Sequence, residues 1–193
     1  MKVEHDPIDE LSRALDQTGA IISRVRPDQA TLPTPCTSWD VRALVQHVVQ
    51  DVRHFTVTAS GGMWNRSDAE DIGDDWTGTY REAADSLIAT WRREGVVGRM
   101  VKLPFGTVPA DWCVSQEIAD FVVHGWDVAK ATGQSTDLDP ELGQMALDWA
   151  RQNLGPQFRR NEESGSSFGP EVPVPETAPI YDRLAAFFGR NPD

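Results

Sequence analysis

The chain has 193 residues, 39% of them hydrophobic, with seven Trp, two Cys and a formal charge of −12. That length supports one domain with a substantial core, and the apolar and aromatic content excludes a disordered chain. The acidic excess argues against a nucleic-acid partner, whose phosphates require a basic surface, and against docking to anionic membranes.

The segment Met1–Pro7 carries no apolar stretch of signal-peptide type, and no apolar run reaches membrane-spanning length. Cys36 and Cys113 are far apart and form no disulfide framework. A soluble protein of the reduced cytoplasm is expected. The charge sets no oligomeric state, and His5 in the acidic leader has no evident role.

Pro7 to about Val25 reads as a first helix, because Ile8, Leu11, Leu15, Thr18 and Ile22 recur at three and four residues. Pro27, Pro33 and Pro35 then impose an extended connection. A second helix is expected from Trp39 to about Ala59, with Thr37 or Ser38 as its cap and Asp40 near the positive end of its dipole. Val41, Leu44, Val45, Val48, Val52 and Phe55 form its apolar stripe. His47, Asp51 and His54 lie along one edge of that stripe, at i, i+4 and i+7.

Ser60 to Trp76 reads as a long acidic loop; its Asp-rich run, Asp68 to Asp75, does not match the spacing of a calcium-binding EF-hand. A third helix is expected from Tyr80 to about Arg93, stopped by Gly95 and Gly98. Val96 to Val108, with Pro104-Phe105-Gly106 inside it, reads as a short hairpin or irregular extended loop.

Trp112 to Lys130 is the stretch around which the rest is organised. Placed on a helix at about 100° per residue, Val114, Ile118, Phe121, Val122, Val128 and Ala129 share one face. Cys113, Glu117, Asp120, His124 and Asp127 form a polar seam beside it, within an arc of roughly 80°. Asp120 and His124, at i and i+4, can both reach one small ion. Carboxylates and a histidine beside an apolar stripe are costly unless paired or bound to metal. Spacing alone is equally compatible with a hydrogen-bonded seam between packed helices. Gly133 reads as the left-handed stop of this helix.

Asp139-Pro140-Glu141 marks another helix start, with Asp139 as cap and Pro140 at the first position, running to about Leu154. Residues 155–178 are expected to lie extended, followed by a last helix from Ile180 to Phe188. The sum is an all-α domain spanning residues 1–193, built on four core helices with short additions.

The chain lacks a Walker loop, a dinucleotide fingerprint, C-x-x-C and H-E-x-x-H. Two seams on two helices remain, and antiparallel packing would bring them together as in bundle metal sites. His47 with Asp120 and His124 offers two imidazoles and a carboxylate, a set that suits zinc and leaves a coordination position open. Asp51, Glu117 and Asp127 are candidates for orienting or substitute groups. Trp39, His54 and Trp126 are candidates for a pocket wall, though core packing also accounts for the tryptophans.

The run Thr34-Pro35-Cys36-Thr37-Ser38-Trp39-Asp40 through His47-Val48 resembles the first motif of the actinobacterial DinB-like, mycothiol-dependent maleylpyruvate isomerase metal-binding domain. Asp120 through Gly133 resembles its second motif. The tail, Phe168 to Pro175 and Phe188 to Pro192, is similar to that of a short, single-domain actinobacterial branch. The resemblance implies a DinB-like four-helix bundle holding zinc or nickel through His47, Asp120 and His124. The family's acidic ligand is a Glu, so Asp120 is the shorter variant. It further implies a metal-dependent enzyme using mycothiol or a similar thiol for S-transfer to, or isomerisation of, a small electrophile. A non-catalytic metal or small-molecule binder and a metal-dependent hydrolase are the alternatives.

Overall fold

The computed structural model describes residues 6–63, 71–93, 95–103, 106–159 and 168–192. His5, Asp68, Pro104, Phe105 and part of the stretch expected to be extended after Gly155 lie outside the described residues. Six α-helices account for most of what is described: α1 Pro7–Ile22, α2 Val41–Ala59, α3 Trp76–Trp91, α4 Ala110–Thr132, α5 Pro140–Asn153 and α6 Ile180–Phe187. Two short strands, β1 Met100–Leu103 and β2 Gly106–Pro109, pair antiparallel with Met100 opposite Pro109 and Leu103 opposite Gly106. The fold is all-α with one small hairpin, as the hydrophobic periods indicate. Among the described residues no helix is long and apolar enough to cross a membrane.

Helices α1, α3, α2 and α4 contact one another in that cyclic order and so form the bundle, while α5 and α6 pack outside it on α4. α4 is therefore covered on several sides. From Phe121 to Ala129 every residue is buried, the behaviour of a helix enclosed by its neighbours. Gly125 lets α1 approach: a β-carbon there would stand 2.9 Å from the Thr18 hydroxyl. That hydroxyl donates to the Phe121 carbonyl across the same interface.

Three boundaries differ from the sequence reading. α1 ends at Ile22 rather than near Val25. The cap of α2 is Asp40, not Thr37 or Ser38, and the helix begins at Val41; the Asp40 carboxylate accepts the Ala43 amide at 2.8 Å. Residues 33–40 form a closed loop instead, with a bridge between Pro33 and Asp40 and the Thr34 hydroxyl 2.9 Å from the Cys36 and Trp39 carbonyls. α3 begins at Trp76 rather than Tyr80, because Asp75 of the acidic loop caps it by accepting from the Gly78 amide. Asp139 caps α5, and Gly133 ends α4 with φ +68°.

The tail returns to the bundle through a tight crossing. Gly189 has φ +87°, and a β-carbon on it would lie 2.6 Å from the Gly169 α-carbon. Neither the dihedral nor the space admits a side chain. Gly189→Ala is expected to cost about 1–3 kcal/mol, read as a lower urea midpoint; an unchanged midpoint would mean that the crossing is not held in this form.

Candidate functional site

α2 and α4 face each other, and their seams meet. The His47 and His124 rings stand edge-to-face with centroids 5.0 Å apart. The closed loop before α2 places Trp39 over both, 4.4 Å from the His47 ring and 6.3 Å from His124. Trp39 thus lies against the pair of imidazoles.

Each histidine is held by a carboxylate on its own helix. Asp51 Oδ2 lies 3.1 Å from Nε2 of His47, one turn on. Asp127 Oδ2 lies 3.1 Å from Nδ1 of His124. A carboxylate on one ring nitrogen favours hydrogen there and leaves the lone pair on the other. These contacts favour hydrogen on Nε2 of His47 and on Nδ1 of His124.

Asp120, one turn before His124, is half-buried, and no hydrogen bond reaches its carboxylate among the described residues. Burial pushes it up to about 6, against the opposing pull of His124 and Arg190. A carboxylate in that position is the kind of group a cation would stabilise.

Asp127 is fully buried, and there the balance is reversed. Burial would raise its pKa, but Arg190 and His124 together hold it at about 2. The Arg190 guanidinium brackets it, with Nη2 3.1 Å from Oδ2 and Nε 3.3 Å from Oδ1. Nη2 also lies 3.0 Å from Cys36 Sγ, and that sulfur is 3.2 Å from Asp127 Oδ2. Cys36, His124 and Asp127 each offer a donor atom within 4.8 Å of the others. Among the described residues the trio His47, Asp120 and His124 does not close to that spacing.

The remaining candidates point elsewhere. Glu117 is fully buried and turned toward α3, where it accepts from Trp91 Nε1 at 3.0 Å, while Cys113 Sγ donates to it within α4 at 3.5 Å. His54 stacks on Phe55 with centroids 5.4 Å apart. Trp126 is fully buried, with its Nε1 unbonded among the described residues, and packs as a core residue. Sequence reasoning did not single out Cys36 or Arg190 as members of the site. Both sit in stretches that resemble family motifs, which was the signal available.

The sequence profile of the mycothiol maleylpyruvate isomerase N-terminal domain matches residues 11–129, a span containing every residue of this site except Arg190. A Mycobacterium tuberculosis protein described as uncharacterized is 38% identical over 188 residues, which is 96% of this chain and 98% of its own length. The same match is found in strains CDC 1551 / Oshkosh and ATCC 25618 / H37Rv. No solved structure matches the chain.

Proposed function

The chain belongs to the mycothiol maleylpyruvate isomerase N-terminal domain family, and on that premise we propose that it holds a divalent cation through His47, Asp120 and His124 and acts on a small electrophile with a low-molecular-weight thiol, mycothiol among them. The observation that carries the reading is the meeting of two imidazoles from facing helices beside a carboxylate without a hydrogen-bond partner among the described residues. Two nitrogens and one oxygen suit zinc, with nickel as the alternative. When bound, such an ion supplies a Lewis acid that favours the thiolate form of a thiol near neutral pH.

The protein's own residues do the rest. Asp51 and Asp127 fix the hydrogen-bearing nitrogens of their rings, and so the nitrogens left to a cation. Trp39 packs on the His47 imidazole and stands beside that of His124. The reaction class that fits is S-transfer to, or thiol-assisted isomerisation of, the electrophile.

A second reading places the ion at Cys36, His124 and Asp127, since those donors are the closest set. Arg190 speaks against it, because its guanidinium already supplies the positive charge between Cys36 and Asp127.

Elemental analysis of protein purified without a histidine tag tests both. About one divalent ion per chain is expected, lost in His47→Ala and in His124→Ala and kept in Cys36→Ser. Metal retained in His47→Ala and lost in Cys36→Ser would transfer the site to the second trio. Metal-dependent loss of thiol in the presence of an electrophile is expected of the loaded protein; binding without turnover would leave a binding module.

A further inference from the structure

We propose that Arg190, from the C-terminal tail, is a positioning residue for His124: through Asp127 it fixes the tautomer and seat of that imidazole, and so its readiness to bind a cation. The inference rests on the metal reading above, and adds a part of the chain outside the matched family domain.

Hydrogen bonds and a tight glycine crossing deliver the tail to the site. The Val172 amide bonds to the Ala186 carbonyl, and the Arg159 guanidinium reaches the Gly169 and Phe187 carbonyls. Gly189 then turns with a positive φ against Gly169, at a distance that excludes any side chain. The next residue is Arg190, whose guanidinium is almost wholly buried at 4% exposure. Burying this charge is costly without an opposite charge and good hydrogen bonds. It has both: Asp127 on two of its nitrogens, Cys36 Sγ on Nη2, and the Phe188 carbonyl accepting from Nη1 at 3.0 Å.

The clasp has a consequence for His124. Asp127 Oδ2 receives Arg190 and touches the imidazole Nδ1 with the same oxygen. A carboxylate pinned in this way accepts the Nδ1 hydrogen, leaving Nε2 with the lone pair. Without the guanidinium the carboxylate keeps only the Cys36 thiol and the ring as partners and is free to swing off the ring. The Arg–Asp–His chain therefore runs from the tail, across α4, to a candidate ligand. A guanidinium suits this task better than an ammonium, because its planar fork engages several acceptors at once.

The test uses Arg190→Gln and Arg190→Lys in the full chain, with two readouts. The first is the 15N spectrum of the His124 imidazole in metal-free protein, which reports the tautomer without any metal. The second is affinity for Zn²⁺ in competition with a chromophoric chelator. In the parent protein His124 is expected as the Nδ1–H tautomer. Arg190→Gln should mix the tautomers and weaken Zn²⁺ about 10–100-fold, with a smaller loss in Arg190→Lys. Unchanged His124 shifts and Zn²⁺ affinity in Arg190→Gln would overturn the proposal. If that variant does not fold, parent values of both quantities in Arg190→Lys would overturn it instead. Mixed tautomers in a chain whose parent binds no Zn²⁺ would uphold the clasp and defeat the metal reading.

Discussion

Asp127→Ala is expected to lower the free energy of unfolding by about 3–5 kcal/mol, among the largest effects of any polar substitution in this chain. Asp127 is fully buried and is the carboxylate that meets the buried Arg190 guanidinium. Removing it takes both hydrogen-bonded carboxylate oxygens from a charge that water does not reach. It also takes from Nδ1 of His124 its partner at 3.1 Å. The pair itself need not add stability over an apolar isostere, since both charges are desolvated in forming it. Breaking half of it is another matter. Urea titrations of the metal-free variant give the number, and Asp127→Ala combined with Arg190→Leu gives the control. The double variant is expected to recover much of the loss, because no buried guanidinium then remains. A loss below about 1 kcal/mol, the range of exposed pairs, would mean that Arg190 finds water when Asp127 is gone.

How far the sequence reached depends on the distance over which each contact acts. The stripes of α1 and α2 were legible because Ile8, Leu11, Leu15, Val41, Leu44, Val48 and Val52 follow the helical period, and all are buried. The seam of α4 was legible for the same reason, including the three-residue step from His124 to Asp127. The cap of α2 was not. Thr37, Ser38 and Asp40 are all competent to cap, and the Pro33–Asp40 bridge, a tertiary feature, selects Asp40. Glu117 has the spacing of a ligand, yet its carboxylate faces Trp91, a residue on another helix. Cys36 and Arg190 lay furthest from reach. They stand 91 and 63 positions from Asp127, and only the folding of the loop before α2 and of the tail brings the three together.

Glu117 leads to the second large effect, a stability that falls as pH rises. Burial pushes its carboxyl up to about 8, a shift only partly offset by the bonds from Trp91 and Cys113. In the unfolded chain the same group titrates near its ordinary value of 4.5. Between these values the folded protein keeps a proton that the unfolded chain has released, so folding is disfavoured as pH climbs. The burden is absent below about pH 4.5, grows through the window, and is complete above about pH 8, at up to about 1.4 kcal/mol for each pH unit crossed. Asp120, raised to about 6, adds a slope of the same sign at the acid end of that range. Asp127, held at about 2, acts oppositely: its contribution is present above about 4 and is lost as pH falls toward 2. Glu117→Gln keeps a carbonyl oxygen for the Trp91 N–H and carries no proton to lose. Urea midpoints of metal-free protein between pH 5 and pH 9 should therefore fall steeply in the parent and much less in the variant, most clearly above pH 6, where Asp120 no longer contributes. Parallel profiles would show that Glu117 ionises in the folded protein as readily as in the unfolded chain, and that its place between α3 and α4 is open to water.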